Sequence, residues 1–64
     1  MTMIHPTAIV SEKAVIGDNV SIGSNVTILP VNVCNNVVIG AGSVVTKDIT
    51  QPGTYVGNPA RKIS

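Results

Sequence analysis

The sequence predicts an all-β chain wound into a parallel β-helix of about two and a half coils, followed by a short C-terminal tail. Three observations predict it. Aliphatic residues recur every six positions, at Ile4, Val10, Ile16, Ile22, Ile28, then Val33, Ile39 and Val45, with a single step of five between Ile28 and Val33. The chain holds eleven Val and eight Ile but no Phe or Trp, so its core is aliphatic and β-branched, which favours strands over helices. Turn formers follow with the same period, three residues after the aliphatic position, at Asn19, Asn25, Asn36, Gly42 and Asp48. These types tolerate a left-handed backbone, which a tight corner needs. A period of six fits neither the 3.6 of a helix nor the alternation of a hairpin. It fits short strands joined by sharp corners, three to a coil.

Taken in order, Ile4, Val10 and Ile16 mark the first coil, Ile22, Ile28 and Val33 the second, and Ile39 and Val45 the third. Ile4 then stacks on Ile22 and Ile39, Val10 on Ile28 and Val45, and Ile16 on Val33. Each strand hydrogen-bonds in parallel to the strand one coil away, which satisfies the backbone. A second inward set lies four residues on, at Ala8, Ala14, Val20, Val26, Val37, Ser43 and Ile49. Gly17, Gly23 and Gly40 directly follow the aliphatic positions, where corners begin. The five-residue step at Pro30 predicts a distorted corner that an added Gly would relieve. The repeat is expected to span 4–50 and to end near Thr50. Residues 51–64 then form a capping tail: Pro52-Gly53 turns, Tyr55-Val56 runs back along the prism, and Asn58-Pro59 turns again. Such a tail would cover the strand edges of the last coil. No comparable cap precedes Ile4.

At 64 residues the chain is near the lower limit for a self-sufficient core, so association with copies of itself is expected. Outward Ile9, Thr27 and Val44 stack on one side, which is more apolar than the side bearing Val15, Asn32 and Thr50. A net charge of +1 argues against nucleic-acid and anionic-membrane partners. No apolar run spans a bilayer, and the opening MTMIHPT lacks the layout of a signal peptide. Cys34 is alone, which excludes an internal disulfide. A cytoplasmic location is expected.

The stretches IHPTAIV, IGDNVSIGSNVTI and VVIGAGSVVTKDI, with GNPAR after them, closely resemble the hexapeptide-repeat acetyltransferases. The last stretch is most similar to the galactoside, maltose and xenobiotic acetyltransferase branch. The resemblance runs from Ile4 to Ile63. It implies a left-handed parallel β-helix, a homotrimer, acetyl-CoA as co-substrate, and a sugar, amino sugar or small xenobiotic as acceptor. It also implies that the pantetheine arm lies parallel to the helix axis, in a groove between neighbouring subunits. On that basis Ser24 and Ala41 line the groove, while Thr46, Lys47 and Arg61 lie toward the nucleotide and phosphates. The chain departs from the branch in three ways. It lacks the Gly that usually follows Leu29-Pro30, the several coils that usually come before, and the residues that usually extend beyond Arg61. It looks like the C-terminal portion of such an enzyme, or a shortened relative.

Acetyl transfer needs a general base, and His suits that near neutral pH. The family's catalytic His lies well upstream of the IGAGS segment, in a context unlike IHPTA. His5 is the only His here and falls where the family opens its β-helix, so it reads as structural and no catalytic residue is assigned. Gly40, Ala41 and Gly42 carry little side chain, so a linear amide chain can approach their backbone. Lys47 and Arg61 can make charge-assisted bonds to phosphate. Taken singly these residues have plainer readings: a tight corner, a solvated Lys47–Asp48 pair, and an ordinary free thiol at Cys34. The motif that places Thr46, Lys47 and Arg61 together raises them above those readings. The alternative is a non-catalytic trimerisation module. A metal site of the γ-carbonic anhydrase type needs three His, and an ice-binding helix needs an outward Thr array. Neither is present in the sequence.

Overall fold

In the computed structural model, which describes residues 1–64, each straight segment is about as long as one outward and one inward residue. Strands are therefore mostly two residues long: β1 (Met3–Ile4), β2 (Ile9–Val10), β3 (Val15–Ile16), β4 (Ser21–Ile22), β5 (Thr27–Ile28), β6 (Asn32–Val33), β7 (Val37–Ile39), β8 (Val44–Val45), β9 (Gly53–Val56) and β10 (Arg61–Lys62). They stack as three faces of a prism. The first face is ordered β1-β4-β7-β9-β10, the second β2-β5-β8, and the third β3-β6. All pairs are parallel except β9 with β10. No helix of the chain is long and apolar enough to cross a membrane.

The register carries the inward residues onto one another as the spacing predicts. Ile4 pairs with Ile22 and Ile22 with Ile39; Val10 pairs with Ile28 and Ile28 with Val45; Ile16 pairs with Val33. Together with the second inward set they form the buried core, centred on Val20, Ile22, Val26, Ile28, Val33, Val37, Ile39 and Val45. Asn19, Asn25, Asn36 and Gly42 take positive φ, at 56°, 56°, 63° and 75°. Gly23 serves a different need. A Cβ there would stand 2.8 Å from the Ala41 amide nitrogen one coil away, so it allows close approach between corners.

Three expectations are corrected at the second corner, between the second and third faces. The corner shortens coil by coil: the step is six from Val10 to Ile16, five from Ile28 to Val33, and four from Val45 to Ile49. The five-residue step is not a distortion. The Val31 amide donates to the Leu29 carbonyl at 2.6 Å across Pro30, a three-residue turn that leaves the Ile16–Val33 pairing intact. Ile49 is not a secondary inward residue, because it bridges to Val33 and takes the main position of the third face. Asp48 is not among the positive-φ residues. Its carboxylate accepts the Asn32 amide at 2.8 Å, where one coil earlier the Val15 amide finds the Val31 carbonyl. A side-chain oxygen replaces the backbone oxygen that the shortened corner no longer supplies.

The stacking also continues past Thr50. Tyr55 lies six residues after Ile49 and pairs with Ile39, so β9 extends the first face in parallel rather than running back along it. The aromatic ring fills an aliphatic position, and its hydroxyl donates to the Gln51 carbonyl at 2.7 Å. The reversal comes in the turn over 57–60, after which β10 returns antiparallel along β9. This turn also covers the edge of β8: Val44 donates to the Gly57 carbonyl at 3.0 Å, and the Ala60 amide donates to Val44 at 2.8 Å. At the opposite end Met3 and Ile4 stay exposed.

Ser43 locks the cap. It is the one buried polar side chain, at an inward position where other coils carry Ala or Val. Its hydroxyl donates to the Gly40 carbonyl at 2.7 Å and accepts the Gly57 amide at 3.1 Å. Ser43→Ala strands that amide under the turn, at a cost of ~1–3 kcal/mol. Thermal denaturation followed by circular dichroism should show Tm falling by roughly 4–8 °C for each kcal/mol lost. An unchanged Tm would refute the lock.

Candidate functional site

Where the last coil ends, its inward residues have no further coil above them. Val45, Ile49 and Tyr55 line a cavity of about 300 Å³, together with the corner Thr46-Lys47-Asp48 and the returning segment Pro59-Ala60-Arg61-Lys62. The cavity is apolar in part and cationic elsewhere. Three of the chain's four Lys and Arg residues line it, Lys47, Arg61 and Lys62, against one carboxylate. That carboxylate, Asp48, already accepts the Asn32 amide. The arrangement suits a polyanion, with ammonium and guanidinium donors on flexible stems.

A second feature runs along the first face. A shallow groove of about 460 Å³ crosses β1, β4 and β7 at their C-terminal ends, beside the first corner. Apolar Met3, Ile4 and Val38 line it, together with Gly23, Gly40 and Ala41, which carry little or no side chain. The groove lies parallel to the prism axis, because it touches the same position in three successive coils. On this face β9 and then β10 follow β7, so Arg61 and Lys62 stand beyond the groove's C-terminal end.

The structure thus brings Thr46, Lys47 and Arg61 together on one cavity. It places Ser24 and Ala41 elsewhere, on the first corner, where the Ser24 carbonyl accepts the Gly42 amide at 2.8 Å. Ala41 lines the axial groove, whereas Ser24 stands beside Gly23 just outside its lining. Lys62 was not singled out by sequence, although it directly follows Arg61. His5 lines the N-terminal end of the groove, and its ring is engaged with Thr7. Cys34 is a half-buried free thiol whose backbone amide donates to Ile49.

Comparison with known proteins places this geometry. A family model described as the hexapeptide repeat of succinyl-transferase matches residues 13–47. A Saccharomyces cerevisiae protein provisionally named an acetyltransferase is 53% identical over 49 residues, 75% of this chain and 25% of that one. The acetyltransferase domain of PglB from Neisseria gonorrhoeae superposes with a TM-score of 0.91 at 33% identity, covering 97% of this chain and 31% of that domain. The same domain in complex with acetyl coenzyme A gives 0.90. A maltose O-acetyltransferase from Clostridium difficile is 57% identical with a TM-score of 0.74, over 78% of this chain and 27% of that one. The chain spans about a quarter to a third of the length of these relatives. The fold it shares with them is the left-handed parallel β-helix.

Asp48 separates a structural carboxylate from an ion-pair partner of Lys47. Asp48→Asn keeps an oxygen for the Asn32 amide and should leave Tm nearly unchanged. Asp48→Ala removes it and should cost ~0.5–1.5 kcal/mol in urea denaturation. Equal losses in both variants would mean that the charge, not the acceptor, matters.

Proposed function

Because this chain belongs to the hexapeptide-repeat family, we propose that it is an acetyl-CoA-dependent O- or N-acetyltransferase, or the coenzyme-binding C-terminal part of one. The observation that carries this reading is the pairing of the two features on one prism. A cationic cavity at the end suits the nucleotide and phosphates. An axial groove lined in part by residues with little side chain suits a linear amide arm, which needs donors and acceptors without bulky side chains. Thr46, Lys47 and Arg61 then serve the phosphate end, with Lys62 beside them, and Ser24 and Ala41 flank the arm. The acceptor is a sugar, as the maltose O-acetyltransferase relative suggests, or else an amino sugar or small xenobiotic. The setting is the cytoplasm, without nucleic-acid or membrane partners. No general base is assigned, so transfer by this chain alone is not expected.

Assembly belongs to the same reading. Ser24 and Ala41 lie on the first corner and Lys47 on the second, at opposite edges of the second face. One chain therefore leaves the groove open on its outer side, whereas a neighbouring copy can bring its second corner, with its own Lys47, to this first corner and close it. Ile9 is 69% exposed and stacks with half-buried Thr27 and Val44 on that face, an apolar strip suited to a homotrimer. Light scattering at micromolar concentration should give three times the chain mass. A monomer would refute the trimer.

Calorimetry tests the coenzyme. Acetyl-CoA should bind with salt-sensitive affinity, because exposed phosphate contacts are screened over about 8 Å at physiological ionic strength. CoA lacking the 3′-phosphate should bind more weakly. Arg61→Ala should weaken binding about tenfold or more. Affinity unchanged in the Lys47→Ala, Arg61→Ala double variant would favour the non-catalytic trimerisation module instead.

A further inference from the structure

His5 is the one ionisable side chain along the axial groove, and it sits at the end farthest from the cations. From β10 to β1 the first face spans four strand spacings, about 19 Å at ~4.8 Å each. The arm of CoA from phosphate to sulfur has about thirteen bonds, the equivalent of four to five extended residues, or ~15 Å. An arm whose phosphate is held by Arg61 and Lys62 thus brings its sulfur within about one strand spacing of β1. The thioester carbonyl oxygen, ~2.5 Å beyond the sulfur, covers part of the remaining gap to the side chains of the first coil. There the groove is lined by Met3, Ile4, His5 and Pro6.

The ring of His5 is held in one tautomer. The Thr7 amide donates to Nδ1 at 3.2 Å, and the Thr7 hydroxyl lies 2.9 Å from the same nitrogen. That hydroxyl already accepts the Asn25 amide at 2.9 Å, so its own proton is free to point at Nδ1. An amide can only donate, so Nδ1 is an acceptor and the neutral ring carries its proton on Nε2. His5 therefore offers the groove a donor and not a base. Asn25 belongs to the next coil and takes a left-handed φ of 56°, so the repeat itself holds this arrangement.

Resting on the coenzyme reading above, we infer that the Nε2–H of His5 donates a hydrogen bond to the carbonyl oxygen of the acetyl thioester. In an apolar groove such a donor is stronger than in water. It polarises the acyl carbon and distinguishes acetyl-CoA from CoA, which has no acyl oxygen to receive the bond. This assigns His5 the acyl group and leaves proton abstraction from the acceptor to another residue.

The test compares acetyl-CoA with CoA on the intact chain by calorimetry, for wild type, His5→Ala and His5→Gln. His5→Ala should weaken acetyl-CoA about five- to tenfold, one net hydrogen bond, and leave CoA unchanged. His5→Gln keeps an N–H donor and should recover part of the loss. With [1-13C]acetyl-CoA, the bound carbonyl resonance of wild type should lie downfield of that in His5→Ala. His5 is exposed, and equal melting temperatures would show that the variants fold. Loss of acetyl-CoA and CoA binding to the same extent, or of neither, would overturn the role of His5 while leaving the coenzyme reading standing. Failure of wild type to bind either ligand would overturn both.

Discussion

The hydrogen-bonded register between coils is the constraint on which the other features depend. Each strand is too short to hold itself, so its amides must find carbonyls one coil away. That requirement fixes the stacking of Ile4, Ile22 and Ile39, and of Val10, Ile28 and Val45. It also governs how the chain tolerates irregularity. When the second corner loses one residue, a tight turn at Pro30 absorbs the loss; when it loses two, the Asp48 carboxylate stands in for a carbonyl. In both cases the geometry of the corner changes and the pairing of inward residues survives.

The same constraint explains the cap. A β-helix that simply stopped would leave amides and carbonyls unpaired along three edges. Here the first face receives β10, and the second face receives the turn over 57–60, pinned by the Ser43 hydroxyl. Ser43 gives up an apolar inward position to do this, and both of its hydrogen bonds lie inside the fold, so the hydroxyl is satisfied although buried.

Much of this was legible in the sequence because inward positions demand apolar side chains and sharp corners demand residues that accept positive φ. Ile22, Ile39, Asn19 and Asn25 each satisfy a rule that few residue types can meet. Ile49 and Tyr55 were misplaced because a step of four followed by an aromatic residue breaks the period on which the reading relied. Asp48 looked like a turn former because the same side chain can either relax a corner or lend it an oxygen. The grouping of Thr46, Lys47 and Arg61 was visible through family resemblance alone, since no spacing rule joins residues fifteen apart on different elements. The groove was harder still. Its lining draws on residues from three coils, Met3, Gly23 and Gly40 among them, and composition does not say which surface positions stack into a groove.

That the cations gather at the end of the prism follows from the geometry of stacking. Within the repeat, corresponding residues of adjacent coils lie ~4.8 Å apart, where two like charges repel by about 1 kcal/mol even in bulk water. A cationic side chain repeated at one corner of every coil would accumulate that cost. The second corner carries Lys13 in the first coil and Lys47 in the third, with the uncharged Leu29-Pro30-Val31 between them. Two spacings put these lysines about 10 Å apart, near the screening length in physiological salt. Arg61 and Lys62 avoid the problem differently, because β10 reverses direction and leaves the ladder of equivalent positions. Positive charge can therefore be concentrated only where the repeat gives way, beside a cavity that exists because nothing stacks on Val45, Ile49 and Tyr55. The feature that ends the fold is thus the one that can hold an anion.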